Sequence, residues 1–132
     1  MPPQTRLLDS CEVVQAKSPV AYYRLGEATY TPPTSLPAAV ATGSGMAAQM
    51  IAMLNICEAG DEIVAARTLY GGTHTQLDVN FRKLGINTVF VDSDDPENFA
   101  RAITPKTRLL YAETIGNPSM NVLDIEKVAA IA

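Results

Sequence analysis

The amino-acid sequence predicts an α/β fold in which helices cover both faces of a mostly parallel sheet. Short runs rich in valine, isoleucine and other apolar residues alternate with stretches whose apolar residues recur every three or four positions. The first pattern is typical of buried strands and the second of amphipathic helices. Glycine, proline and aspartate separate the segments, as they do at strand and helix ends. Strands that alternate with helices in this way form parallel sheets.

The N-terminal segment lacks this alternation. Six of the nine prolines lie before residue 38, and proline removes an amide donor and is excluded from helix interiors. We therefore expect an irregular N-terminal arm over residues 1–37 and one α/β domain over residues 38–132.

The first predicted strand, residues 38–42, leads through a glycine-containing turn into the first predicted helix. Apolar residues at helical spacing form the buried face of this helix: Met46, Met50, Met53, Leu54 and Cys57. Gly60 suits the C-cap of the same helix, because glycine adopts the left-handed backbone that ends many helices.

Three further strands alternate with three further helices. The strands are predicted at residues 62–66, 87–91 and 107–113. The first of these helices carries Leu77, Phe81 and Leu84 and ends at Gly85. The second has Asp95 as N-cap and Pro96 as first residue, and runs to about Ile103; the third runs from Asp124 as N-cap to Ala132.

The last predicted helix has neither a terminating glycine nor a basic last turn. We therefore expect residues 38–132 to form a partial domain that ends within a helix. Such a helix would leave apolar Ile125, Val128 and Ile131 exposed.

Composition and charge exclude several classes of function. The formal net charge is −4 and the isoelectric point is about 4.8, so nucleic-acid binding is not expected. No apolar run reaches the roughly 20 residues of a membrane span, and the N-terminus lacks the pattern of a signal peptide. We therefore expect a cytoplasmic protein. The two cysteines do not have the spacing of metal ligands, and no metal site is expected.

The turn between the first predicted strand and helix has the features of an anion-binding loop. Gly43 and Gly45 allow close approach of the backbone, and the start of a helix presents unpaired amides and a positive dipole end. A plain turn between a strand and a helix would carry the same residues. A third possibility is an NADP-binding Rossmann domain, because the glycine pattern is permitted there and Arg67 follows the next predicted strand.

The phosphate loop is the first of eight blocks that share one likeness. They lie at residues 41–48, 59–64, 69–73, 84–86, 90–92, 95–99, 113–118 and 122–125; the first reads ATGSGMAA and the seventh ETIGNP. Together and in this order, these blocks resemble the pyridoxal 5'-phosphate (PLP)-dependent enzymes of Cys/Met metabolism, which have fold type I. Ordered agreement over most of residues 40–132 is far more specific than any single block.

The resemblance implies part of the large PLP-binding domain of that fold, with PLP as cofactor and a small amino-acid substrate. It also implies a homo-oligomer, a dimer or tetramer. Within the family the blocks are most similar to those of O-acetylhomoserine sulfhydrylases, which catalyse γ-replacement. Cystathionine γ-synthases and γ-lyases are the alternatives.

By the same resemblance, the phosphate of PLP would bind at Ser44, Gly45 and Met46, mainly through backbone amides. This role agrees with the physical chemistry of a helix start.

Three residues further along the chain are implied at the cofactor. Tyr70 would stack on the pyridine ring, Asn117 would hydrogen-bond the ring oxygen, and Glu113 would support the site without reacting. From its position alone, Tyr70 would be an aromatic residue packed on the core, but Gly71 and Gly72 beside it leave the ring face open to a ligand. Asn117 could be a turn residue before proline, and Glu113 a solvated strand end.

The N-terminal arm contains a further implied contact. Tyr22 and Arg24 resemble the family's Tyr-x-Arg segment, which would bind the cofactor phosphate of the neighbouring subunit. A guanidinium and a phenol suit such a phosphate contact. The sequence departs from the family just after this segment, at residues 27–29, and a surface loop is the alternative.

No catalytic residue is expected in this chain. PLP chemistry needs a lysine that binds the cofactor covalently and moves protons. None of the four lysines, Lys17, Lys83, Lys106 and Lys127, stands in the family's lysine motif. We therefore expect no turnover by this chain alone.

Overall fold

A computed structural model of the chain describes the backbone of residues 20–24 and the whole of residues 42–132. It contains a four-stranded sheet made of β1 (Val20–Arg24), β2 (Glu62–Ala66), β3 (Asn87–Val91) and β4 (Thr107–Glu113), in the order β1-β4-β2-β3. β2 runs parallel to both β3 and β4, and β1 pairs with β4 in the antiparallel direction. The predicted α/β fold with a mostly parallel sheet is confirmed.

The helices are α1 (Gly45–Ile56), α2 (Gly71–Thr75), α3 (Glu97–Ala102) and α4 (Ile125–Ile131). α2 continues into a π-helical segment, Gln76–Phe81. The predicted strand at residues 38–42 lies outside the described residues apart from Thr42. Of the predicted arm, residues 1–37, only the backbone of β1 is described. Among the described residues, no helix is long and apolar enough to cross a membrane.

The core lies on both faces of the central strand. All five residues of β2 are buried, because β2 has strands on either side and helices above and below. Side chains from every layer complete the core, among them Met53, Leu77, Phe81, Phe99, Leu110 and Val128.

The first helix differs from the prediction at its end and on its apolar face. α1 ends at Ile56, and Cys57 is its C-cap with an extended backbone, so Gly60 is not the C-cap. Gly60 instead takes a φ of 100° in the turn that leads to β2, where its amide donates to the Gly85 carbonyl at 2.8 Å. Met53 is fully buried, whereas Leu54 is 41% exposed. Spacing alone therefore predicted a wider buried face for α1 than the structure has.

The second predicted helix is confirmed as a helical region, but part of it is π-helical. The π-helical part is Gln76–Phe81. The helical region ends at Gly85 as predicted, since Gly85 takes a φ of 80° and the Ile86 amide donates to the Phe81 carbonyl at 3.0 Å, as at a glycine C-cap. Leu77 and Phe81 are buried as predicted, whereas Leu84 is largely exposed. A widened helix no longer follows the period of 3.6 residues that places every third or fourth residue on one face.

The last two helices begin beside aspartates whose carboxylates accept from their first amides. The prediction for α3 is wrong by one residue, because Pro96 is the N-cap and the helix begins at Glu97. Asp95 lies just before the cap, and its carboxylate accepts from the Glu97 amide at 3.1 Å. The Asp124 carboxylate accepts from the Lys127 amide at 3.1 Å. The predicted exposure of Val128 is wrong, since only 1% of it is accessible. The spacing places Val128 on the face of α4 that packs on the core.

One buried carboxylate closes the amino end of the parallel sheet. Glu62 is only 8% exposed, and its Oε1 accepts hydrogen bonds from the hydroxyls of Thr107 at 2.9 Å and Thr104 at 3.0 Å. Its Oε2 accepts from Asn87 Nδ2 at 3.3 Å. Glu62, Asn87 and Thr107 are the first residues of β2, β3 and β4. The carboxylate therefore joins the starts of all three parallel strands.

Candidate functional site

The carboxyl end of the parallel sheet has a different character, and the head of α1 lies there. Ser44 is the N-cap of α1, and its hydroxyl accepts from the Ala47 amide at 3.1 Å. The Thr42 hydroxyl donates to the Ser44 carbonyl at 2.9 Å and fixes the turn. Two predicted phosphate-binding residues, Gly45 and Met46, form the first turn of the helix. Ser44 therefore caps α1 but occupies only one of its first amides.

The amides of Gly45 and Met46 have no hydrogen-bond partner among the residues that the structure describes. The first amides of a helix cannot bond within the helix. A Cβ built on Gly45 would find no heavy atom of the described residues within 4 Å. The first turn of α1 holds no acidic side chain, in contrast to α3 and α4. An anion could reach these amides and the positive end of the helix dipole.

The aromatic residue implied at the cofactor ring lies beside this helix head. Tyr70 is the N-cap of α2 and is 55% exposed. A Cβ built on Gly72 would lie 2.6 Å from Tyr70 Cε1 and 3.3 Å from Met46 Sδ. The ring of Tyr70 and the side chain of Met46 therefore meet over the Cα of Gly72. A larger residue than glycine at position 72 would displace one of them.

Glu113 holds the backbone of Tyr70 in place. It is the last residue of β4, and its Oε1 accepts from the Tyr70 amide at 2.8 Å. The amide is an otherwise unpaired group at the start of α2, and a hydrogen bond to a carboxylate is stronger than one between neutral groups. The contact joins Glu113 to Tyr70, and the predicted supporting role of Glu113 at a cofactor stays a prediction.

Asn117 lies in the exposed loop that follows β4. Its backbone amide donates to the Thr68 carbonyl at 3.4 Å. Thr68 stands two residues before Tyr70 in the chain, so the loop lies close to the segment that carries Tyr70. Gly116 is buried beneath the loop, and a Cβ there would press on Thr68 and Asn121. The backbone therefore needs glycine at position 116.

A small polar cluster supports the Asn117 loop from below. Asn121 Nδ2 donates to the Ser93 hydroxyl at 3.0 Å, and the hydroxyls of Ser93 and Thr68 are 3.2 Å apart. The Asn121 carbonyl accepts from the Gly116 amide at 2.8 Å. Thr68 and Ser93 follow β2 and β3, so the cluster joins the carboxyl ends of two strands to the loop.

The structure thus brings the predicted residues Met46, Tyr70, Glu113 and Asn117 to one end of the sheet. Tyr22 and Arg24 are described only as backbone of β1, opposite Tyr111 and Leu109 of β4. Their predicted contact with a neighbouring subunit's phosphate stays a prediction.

Sequence reasoning missed a buried polar group between α1 and the α2 region. Gln49 Nε2 donates to Gln76 Oε1 at 2.6 Å and to Thr73 Oγ1 at 3.2 Å, and the Tyr111 hydroxyl donates to Gln49 Oε1 at 3.1 Å. A signal existed, because Gln49 lies three residues after Met46 and four before Met53. A polar residue on the core face of a helix indicates a buried partner.

The strand order rules out the Rossmann alternative. In that fold the strand before the glycine loop lies beside the strand that follows the next helix. In this chain the strand after that helix is β2, and its two sides are occupied by β3 and β4. Arg67 is exposed at the end of β2. The NADP hypothesis is therefore wrong, because no edge of β2 is free for the glycine-loop strand.

Comparisons with known proteins give a consistent result. A family model described as Cys/Met metabolism PLP-dependent enzyme matches residues 34–132. An O-acetyl-L-homoserine sulfhydrylase from Leptospira meyeri is 57% identical over 95 residues, which is 72% of this chain and 22% of that protein.

Solved structures agree with the sequence comparison. The O-acetylhomoserine sulfhydrylase of Wolinella succinogenes matches with a TM-score of 0.65 and 37% identity, over 67% of this chain and 25% of that one. A Campylobacter jejuni structure that contains N'-pyridoxyl-lysine-5'-monophosphate matches with a TM-score of 0.60 and 31% identity, over 67% of this chain and 22% of that one. The chain therefore spans about a quarter or less of these proteins.

Proposed function

The chain belongs to the PLP-dependent enzymes of Cys/Met metabolism, and from this premise we propose that it is the N-terminal part of an O-acetylhomoserine sulfhydrylase. The full reaction would be γ-replacement, in which O-acetylhomoserine and sulfide give homocysteine and acetate. The 57% identity to a sulfhydrylase supports this choice over cystathionine γ-synthase or γ-lyase activity.

One observation carries the proposal. The first turn of α1, whose Gly45 and Met46 amides have no partner among the described residues, lies beside an exposed aromatic ring, because the Met46 side chain and the Tyr70 ring both approach the Cα of Gly72. A ligand with a phosphate group and a flat ring would satisfy both features. PLP has this shape, and when bound it supplies the electron-withdrawing ring that stabilises negative charge on the substrate.

The residues of this chain would bind and orient the cofactor. Ser44, Gly45 and Met46 would hold its phosphate, with the Gly45 and Met46 amides donating. Tyr70 would cover one face of the ring, and the Asn117 side chain would donate to the ring oxygen. Tyr22 and Arg24 would reach the phosphate of a neighbouring subunit in a homo-oligomer.

Glu113 would act through Tyr70, because it accepts from the Tyr70 amide. A residue with this role fixes the direction in which the aromatic ring leaves the backbone. It need not touch the cofactor.

The proposal includes the absence of turnover by this chain alone. Lys83, Lys106 and Lys127 are exposed, and Lys106 stands before β4 at the end of the sheet opposite Tyr70. Lys127 Nζ pairs with Asp124 Oδ2 at 3.0 Å. Lys17 lies outside the described residues. We further propose a cytoplasmic location for the protein.

The test uses pyridoxine 5'-phosphate, which keeps the ring and the phosphate of PLP but has no aldehyde. It cannot react with surface lysines, so any binding reports the cradle alone. We expect the chain to bind this probe more tightly than pyridoxine or inorganic phosphate in calorimetry. In amide NMR spectra, the signals of Gly45 and Met46 should shift most.

Gly45→Asp should remove probe binding by placing a carboxylate in the phosphate position. An acidic residue in the first turn of a helix favours the helix dipole, so the loss would not come from unfolding. Asn55→Asp adds the same charge near the far end of α1 and serves as the control. Equal probe affinity in Gly45→Asp and the unsubstituted chain would refute the proposed cradle.

A further inference from the structure

The polar group around Gln49 occupies the space between the phosphate-binding helix and the segment that carries Tyr70. Gln49 is 8% exposed, Gln76 4%, Thr73 2% and Tyr111 0%. Every one of these side chains has a hydrogen-bond partner within the group. Four polar side chains in a dry interior are costly to bury without such partners and are geometrically specific when satisfied.

The group makes direct contact with the residue at the helix head. Gln49 Nε2 lies 3.3 Å from Met46 Sδ, and Gln76 Nε2 donates to the Met46 carbonyl at 3.3 Å. Met46 is therefore held at two points, its side chain by Gln49 and its backbone by Gln76 of the π-helical segment. The amide that would meet the phosphate belongs to the same residue.

The same group also reaches the elements that place the aromatic ring. Thr73 lies in α2, three residues after Tyr70, and Gln76 begins the π-helical segment. Tyr111 lies two residues before Glu113 in β4. Gln49 thus touches all three elements that enter the site: α1, α2 with its π-helical continuation, and β4.

We infer that Gln49 is a positioning residue, whose carboxamide fixes the head of α1 relative to Tyr70 so that one ligand can engage both. This inference rests on the proposed function. An amide side chain suits the role because it donates and accepts at the same time. Here it donates towards α2 and accepts from β4.

A purely structural role would have a different consequence. If Gln49 only filled the core, its loss would weaken the fold, and all ligands would be affected alike. If it sets the distance between two subsites, its loss would spare a ligand that uses one subsite. It would weaken a ligand that spans both, because the ligand would have to reorder the site on binding.

The experiment compares two probes on the full chain, inorganic phosphate and pyridoxine 5'-phosphate. The quantity of interest is the ratio of their affinities, which measures the gain from the ring. In Gln49→Met, a change that conserves side-chain size, we expect this ratio to fall about tenfold, while phosphate affinity stays within about twofold. Tyr111→Phe removes one hydrogen bond to Gln49 and should lower the ratio by about threefold.

Thr107→Val is the matched control, because it removes a buried hydroxyl at the amino end of the same sheet. It should lower the stability of the fold and leave the ratio unchanged. In a Tyr70→Ala background, Gln49→Met should have little further effect on the ratio, since the ring subsite is already lost. A core-filling role would not produce this dependence on Tyr70.

The outcomes separate the two proposals. If the unsubstituted chain fails to bind pyridoxine 5'-phosphate, the proposed function and this inference both fall. If it binds, and both affinities fall in parallel in Gln49→Met, the positioning role is refuted while the cradle stands. Should Gln49→Met fail to fold, Tyr111→Phe decides, and an unchanged ratio in that variant would refute the positioning role.

Discussion

At the amino end of the parallel sheet, the first residues of β2, β3 and β4 bond to one another through the Glu62 carboxylate. At the carboxyl end, Tyr70 is 55% exposed and the first amides of α1 lack partners among the described residues. The same three strands therefore end in a closed polar network on one side and in open hydrogen-bonding groups on the other. Buried polar groups must be paired, whereas groups in contact with solvent can be left for a ligand.

The helix starts sharpen this contrast. α1, α3 and α4 all carry a side-chain cap or a nearby carboxylate at their first amides: Ser44, Asp95 and Asp124. The carboxylates at α3 and α4 are negatively charged and already neutralise the helix dipole. The cap of α1 is neutral, so its positive end remains available to an anion. The first amides of α1 are therefore the ones that an anion could reach without meeting a carboxylate of the same helix start.

The largest expected effect is a loss of stability when the hydrogen bonds of the Glu62 carboxylate are removed. Glu62→Ala would leave the hydroxyls of Thr104 and Thr107 and the amide of Asn87 without their acceptor. We expect the free energy of unfolding to fall by about 3 kcal/mol, the cost of unpaired buried donors. Urea denaturation with linear extrapolation measures it.

Glu58→Ala is the control for this change, because Glu58 is an exposed carboxylate just before the same strand. Its removal should cost less than about 0.5 kcal/mol. Equal losses in the two variants would mean that the Glu62 network does not stabilise the sheet. Probe affinity of Glu62→Ala, measured where the variant is folded, should be unchanged.

The second expected effect falls on the open end. Gly116→Ala would place a methyl group against Asn121 Oδ1, 2.7 Å from Thr68 Oγ1 and 2.9 Å from Thr68 Cβ. The Asn117 loop would have to move, at a cost of about 2 kcal/mol from overpacking. We expect both a lower melting temperature and weaker binding of pyridoxine 5'-phosphate.

Gly71→Ala gives the comparison, since a Cβ on Gly71 meets no atom of the described residues within 4 Å. Its stability should be equal to or slightly above that of the unsubstituted chain, because alanine favours a helix. If Gly116→Ala is as stable as Gly71→Ala, the packing under the loop is looser than the structure indicates.

The sequence allowed the three parallel strands to be predicted well, whereas β1 lies in the segment that was expected to be an irregular arm. β2, β3 and β4 have the predicted bounds, because β-branched apolar runs flanked by turn residues admit few alternatives. The Asp124 cap of α4 was predictable because its hydrogen bond is local in sequence, whereas the predicted start of α3 was one residue early, since Pro96 and not Asp95 is its N-cap.

The parts that the sequence did not reveal depend on contacts distant in the chain. Gln49 and Tyr111 are 62 residues apart, and Glu62 and Thr107 are 45 apart. No local pattern identifies such partners. The π-helical segment escaped prediction because Leu77, Phe81 and Leu84 also fit the spacing of an ordinary α-helix.

A smaller effect is expected at the hydrogen bond that the Tyr70 amide donates to the Glu113 carboxylate. Glu113→Gln keeps an oxygen for the Tyr70 amide but removes the charge. Stability should fall by about 1 kcal/mol, because a charged acceptor bonds more strongly than a neutral one.

Probe binding should also weaken in Glu113→Gln, by about threefold, since the Tyr70 backbone would be held less firmly. Glu58→Gln removes an exposed charge and should change neither quantity. If binding is lost completely in Glu113→Gln, then Glu113 contacts the ligand itself, and the assignment of a purely supporting role is wrong.

The smallest expected effect concerns acid and the aspartates at the helix starts of the open end. The pKa of the Asp95 carboxyl is lowered from 3.8, first by the hydrogen bond from the Arg101 side chain and then by that from the Glu97 amide. The pKa of the Asp124 carboxyl is lowered from 3.8 mainly by the Lys127 amide, with help from the Lys127 side chain. Both side chains are in contact with solvent, 55% accessible for Asp95 and 41% for Asp124, so solvent screens these interactions.

The direction of the pH effect follows from these lowered pKa values. Because each folded pKa lies below the unfolded value of 3.8, the stabilisation is fully present above that value. It is lost as the pH falls through the folded pKa. The urea midpoint should therefore decline below about pH 4, and less steeply in Asp95→Asn and Asp124→Asn. Ser44→Ala removes the neutral cap of α1 and should leave the acid slope as it is. A reduced slope in Ser44→Ala would show that the head of α1 takes part in a titration. The distinction between one neutral and two charged helix starts would then no longer hold.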